Sequence, residues 1–143
     1  MNAPARRLAA LALFACLASC GGGGGDAPPA QPQSVTFAFR LRGLPASEEF
    51  RIATASPAFI AQVREQLRLP EAQRQLFVAG AIRAGGAGHN LAWSWHFADA
   101  SLVQAAIELC DGRPSMVEAN LPYWLDTVKS FCPWSSYAYA EIG

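Results

Sequence analysis

The chain has no long hydrophobic run, no clustered basic patch and none of the common catalytic signatures, and each gap narrows what it can be. Its apolar run, Leu8 to Leu17, is too short to cross a hydrocarbon layer of about 30 Å. Without a basic patch, nucleic acid is excluded as the expected partner. No Gly-x-Ser-x-Gly elbow, no phosphate loop and no His-Glu-x-x-His occurs. No internal repeat is present. Histidine is scarce as well, with only His89 and His96.

What the N-terminus does carry is a processing signal. Arg6 and Arg7 precede the apolar run, and Leu17-Ala18-Ser19-Cys20 then reads as a lipobox with Cys20 as the lipidated residue. Residues 1–19 are thus expected to be a lipoprotein signal peptide. Residues 20–34 follow as the lipidated cysteine and a Gly/Pro tether, five glycines and then a proline-rich stretch, with a reach of roughly 20 Å. Anchoring through several acyl chains is stable because each buried methylene adds about 0.8 kcal/mol. Gly21, rather than aspartate, follows Cys20, which points to the outer membrane of a two-membrane envelope. The competing reading is ordinary secretory cleavage beside an incidental cysteine.

Residues 35–143 have the length of one domain. Without Arg6 and Arg7, nine of the eleven basic residues remain against eleven acidic ones, a net charge near −2. Cys16 leaves with the signal and Cys20 takes the lipid. Cys110 and Cys132 remain, either as a disulfide suited to an oxidising compartment or as two buried thiols.

Hydrophobic periodicity predicts an α+β domain in the order ββαβββαβ, with a largely antiparallel sheet and two main helices. Val35, Phe37, Phe39 and Leu41 alternate as a first strand, and Phe50 and Ile52 mark a second. Ser56-Pro57 opens a helix with Phe59, Ile60, Val63 and Leu67 inward. Gln75 to Arg83 reads as a strand interrupted by Gly80. The run from Gly88 to Phe97 reads as a fourth, with Trp93, Trp95 and Phe97 on one face and Ser94 and His96 on the other. Val103 to Cys110 makes a fifth. Ser115 to Glu118 has capping-box spacing. Leu121, Trp124, Leu125, Val128, Phe131 and Cys132 recur as a last helix, capped by Asn120 and stopped by Pro133. Ser135 to Ile142 closes the chain as a strand.

At His89-Asn90, Trp93-Ser94-Trp95-His96, Ile107 to Ser115 and Cys132-Pro133-Trp134 the chain resembles small secreted bacterial domains similar to the N-terminal domain of a slime-mould calmodulin-binding protein. The similarity runs from about Phe50 to Ser136. It implies a disulfide-bridged extracytoplasmic domain. Calmodulin binding does not carry over to a bacterial envelope.

Three kinds of site follow from the residues. His89 and His96 with Glu108, Asp111 or Glu118 could ligate a metal, but the six intervening residues do not match a compact helical pair. Ser94 and His96 lie about 6 to 7 Å apart along a strand, too far for a nucleophile–base hydrogen bond. Glu108 beside His96 could do acid–base work. Of the aromatic residues, Trp93, Trp95 and Trp124 are expected in the core. His89, Asn90, His96, Glu108, Asp111 and Arg113 are left as the candidate binding surface, with no cofactor and no metal assigned. The expected function is a membrane-anchored, non-catalytic binding or structural domain that meets an envelope protein or polar ligand. The alternative is a small hydrolase or metal-binding domain using His89, His96 and Glu108.

Overall fold

A computed structural model describes residues 33–105 and 110–143. The expected signal peptide, Cys20, most of the tether and Glu108 lie outside the described residues.

The alternation in the first strand is realised. In β1 (Val35–Leu41) Phe37, Phe39 and Leu41 are buried, and Val35 is half-buried. β1 pairs antiparallel with β2 (Phe50–Thr54), Phe39 opposite Phe50, and on its other side with β7 (Ser136–Ile142). Between Ala38 and Phe39 the β7 partner moves from Ala140 to Ala138, so Tyr139 is the extra residue of a bulge. That bulge breaks the alternation expected for the last strand. Tyr137 is buried, while Tyr139 is exposed beneath the Arg40 guanidinium, 3.4 Å from its ring centre.

Helix α1 (Pro57–Arg68) starts as expected, with the Ser56 hydroxyl accepting from Phe59 N–H and proline in the first turn. Phe59 and Val63 are buried; Ile60 and Leu67 pack against the core from half-buried positions. The extended residue Leu69, ahead of Pro70, ends the helix. Arg74 then donates to Leu69 O, Leu67 O and Ala138 O, which ties the helix C-terminus to β7.

The second sheet departs from expectation. β3 (Phe77–Ala84) pairs along one edge with β5 (Ser101–Val103) and then β4 (Trp95–Phe97). The register slips by one residue between these pairings, as chain 98–100 passes over Gly80. A Cβ at Gly80 would stand 1.8 Å from Asp99 O, so only glycine admits this crossing. The expected fourth strand is therefore a short arm of one bulged edge, beginning only at Trp95, and β5 is the other arm. Of the expected fifth strand, Val103 ends β5, and residues 106–109 lie outside the described residues.

The last helix is also not continuous. Helix α2 (Pro114–Ala119) is followed by a single turn, α3 (Leu121–Tyr123), and a π-helical turn, Trp124–Val128. Lys129, at φ 64°, then reverses the chain into β6 (Ser130–Phe131), which pairs with the free side of β3. Phe131 and Cys132 thus belong to a strand and its exit, and the stop comes at Lys129 rather than Pro133. Asn120 makes no side-chain cap. The expected capping box does not form either. Ser115 N–H and Oγ–H donate to Glu48, whose nearly buried carboxylate occupies the start of α2 from another segment.

All strand pairs among the described residues are antiparallel, and the molecule is α+β with one bridge, Cys110–Cys132, Cα atoms 5.2 Å apart. Phe50 joins the two sheets. It stacks on Phe39 at 5.5 Å and meets Phe97 at 5.5 Å and Trp95 and Phe131 at 6.3 Å. Cys110, Cys132 and Phe77 form a smaller apolar cluster beside this core.

Candidate functional site

The glycine-rich run between β3 and β4 folds as a compact loop, not as the first half of a strand. Gly85 and Gly88 sit at φ 85° and 76°, and Ala87 at 47°, the left-handed region that glycine enters most cheaply. Gly86 O accepts from both His89 N–H and Asn90 N–H, and Gly85 N–H donates to Ser94 O at 2.7 Å.

Asn90 is the clamp beneath this loop. Its Oδ1 accepts from Arg51 N–H at 2.8 Å and its Nδ2 donates to Trp95 O at 2.9 Å. Both ends of the amide are used and the side chain is 1 % exposed, so Asn90 binds its own protein rather than forming the expected rim. Trp93 adds a second tie, donating from Nε1 to Glu49 O at 2.8 Å. Trp95 is fully buried and Trp93 half-buried, 6.2 Å ring to ring. Together these contacts fasten the loop over the outer edge of β2, where unpaired backbone groups would otherwise face water.

The two histidines do come together. Their rings are 6.0 Å apart and nearly perpendicular. His89 Nδ1 lies 3.1 Å from Ala87 O and His96 Nδ1 lies 2.6 Å from Gly85 O. A carbonyl oxygen only accepts, so both Nδ1 atoms carry the proton and the Nε2 lone pairs are left when the rings are neutral. His89 Nε2 is buried with no partner among the described residues. Burial, above all, pulls the His89 pKa below its ordinary value; the Ala87 carbonyl opposes this and the His96 charge adds to it.

Linkage gives this a measurable sign. The unfolded chain takes up a proton near pH 6.5 that folded His89 resists, so this contribution is whole above that pH and declines below it. His89→Gln is expected to reduce the loss of unfolding free energy between about pH 7 and pH 5. Chemical denaturation across that range checks it, and equal slopes in both proteins would contradict it.

The other expected site residues lie apart from this pair in role. Asp111 Oδ1 accepts Trp134 N–H at 3.1 Å, which orders the turn beside the disulfide. Arg113 is the exposed residue leading into α2. Glu118 accepts from Ser94 N–H at 2.9 Å and so holds the end of the loop. Among the described residues no three of His, Cys, Asp and Glu gather closely enough to hold a metal ion.

Sequence reasoning missed the neighbouring cleft. About 280 Å³ in volume, it is bounded by Ser47, Glu49, Arg51, Leu91 and Ala92, with Asn90 at its base. Glu49 is paired with both Arg40, at 2.9 Å, and Arg51, at 3.7 Å, so the cleft presents both signs of charge. Leu91 is 79 % exposed at its rim. Extending the Trp93–Trp95–Phe97 alternation backwards would have placed Leu91 inward, and the loop reverses that.

Neither a curated protein nor a solved structure matches the chain. Residues 33–143 match the family of BP-74 N-terminal domains, a wider span than the motif strings alone covered. The match takes in the paired sheets, the loop with both histidines and the disulfide, and the chain belongs to the BP-74 N-terminal domain family.

Proposed function

We propose that the chain is a lipid-anchored extracytoplasmic domain that binds a protein partner of the cell envelope through the loop over β2, without chemistry. One observation carries the binding assignment: Leu91 is held outward, 79 % exposed, on a backbone clamped by Asn90, Trp93 and Ser94. An apolar side chain fixed in water beside a Glu49–Arg51 pair suits an interface whose ordering cost is already met. The Arg6-Arg7 charge, the short apolar run and Leu17-Ala18-Ser19-Cys20 support the anchor, and the Cys110–Cys132 bridge supports an oxidising compartment. No described helix is long and apolar enough to cross a membrane. In this reading Cys20 carries the acyl chains and the outer membrane is their destination.

A photo-crosslinking residue at position 92 tests the interface in cells. A discrete adduct is expected, lost on Leu91→Asp while the thermal unfolding midpoint is unchanged. An adduct pattern no different from that of a probe at Gln62, exposed on α1, would sink the assignment.

A second reading, metal binding or hydrolysis by His89, His96 and Glu108, is favoured by the buried Nε2 of His89, which has no partner among the described residues. Titrating the histidine ring resonances with Zn²⁺ separates the two, since only this reading predicts saturable shifts of both rings.

A further inference from the structure

Trp134 is an exposed tryptophan on an unusually constrained backbone. Cys132, two residues earlier, is bridged to Cys110, and its N–H donates to Cys110 O at 2.9 Å. Pro133 is buried. Trp134 N–H is held by Asp111, and Ser136 N–H closes the turn onto Pro133 O at 2.8 Å. The indole nevertheless stands in water, the residue 48 % exposed.

It forms one wall of a cleft of about 400 Å³, floored by Phe77 and flanked by Gln75, Gln104 and Ala105. Gln75 Nε2 donates to Ala72 O at 3.2 Å, which orients that carboxamide. Among the described residues, no charged side chain lines the cleft.

We infer that this cleft is a binding site for a neutral saccharide chain. A flat indole offers its face to the C–H face of a pyranose ring. Carboxamides supply both donors and acceptors, the combination that sugar hydroxyls require. Anionic glycans and phosphates would find no cation among these lining residues. The disulfide and the Asp111 bond hold the platform before any ligand arrives, which lowers the cost of weak, reversible binding. The site shares no residue with the cleft at Leu91 and does not depend on it.

The experiment is a titration of the full chain with tetraacetylchitotetraose, maltotetraose and cellotetraose, followed through its four indole N–H resonances. The Trp134 signal, identified by its loss in Trp134→Phe, is expected to shift saturably with at least one of them. Trp134→Ala should weaken that binding by about tenfold with an unchanged unfolding midpoint, and Leu91→Asp should leave it intact. Should Trp134→Ala unfold the protein, Gln104→Ala supplies the same test at the rim. No saturable shift with any of the three sugars would overturn the proposal, as would binding that survives both variants. A Trp134 shift produced only by a proline-rich peptide would also overturn it, in favour of a peptide site.

Discussion

Replacing Phe50 with alanine is expected to cost about 3–5 kcal/mol of folding free energy. Phe50 is fully buried between the two sheets. It lies opposite Phe39 of β1 and touches Trp95 and Phe97 of β4 and Phe131 of β6. Removing the ring therefore opens a cavity between layers, and neither sheet can close it without giving up its own strand register. Domains of this size hold only about 5–15 kcal/mol in all, so the variant should retain a fraction of that. Guanidinium unfolding followed by far-ultraviolet circular dichroism gives the difference. A cost below about 1 kcal/mol would mean the sheets do not pack through this ring.

Removing the Cys110–Cys132 bridge is expected to cost about 3 kcal/mol, by the chain-entropy argument for a sequence separation of 22. The closed loop contains α2, α3 and the π-helical turn, all short elements whose isolated stability is low. Phe77 shares a small apolar cluster with the two cysteines, so the loss also loosens that cluster. The double variant Cys110→Ala/Cys132→Ala, compared with oxidised wild type, should show a lower denaturation midpoint. Reducing agent should lower the wild-type midpoint to a similar extent. A midpoint indifferent to reductant would contradict this account of the bridge.

How far the sequence showed this fold depends on how local each determinant is. β1, β2 and α1 were legible because alternation, a serine cap and a first-turn proline act within a few residues. The bridge was legible because residues 35–143 contain only two cysteines. Elements set by distant partners were not. Ser115 and Glu118 have the spacing of a capping box, yet Ser115 is claimed by Glu48 and Glu118 by Ser94. Phe131 and Cys132 continue a helical stripe, yet Lys129 takes the left-handed conformation where a glycine would have signalled the stop. Gly80 was recognised as an interruption, but not that residues 98–100 cross over it.

The site was half legible for the same reason. The sequence singles out His89 and His96, but a strand from Gly88 to Phe97 would hold them far apart, and only the folded loop brings their rings together. Sequence alone places Asn90 at the rim, because the Arg51 N–H that occupies its Oδ1 comes from a distant strand. Arg113 is exposed, and Glu108 lies outside the described residues.

The proposal that this domain works tethered outside the cytoplasm is tested most directly by following Cys20 in cells. Full-length protein and Cys20→Ala would be labelled with a palmitate analogue and fractionated into soluble, inner-membrane and outer-membrane pools. The account predicts a labelled wild-type pool in the outer membrane and an unlabelled Cys20→Ala protein that leaves the membrane. A Cys20→Ala protein that stays labelled and membrane-bound, or a wild type that is soluble and unlabelled, would contradict it.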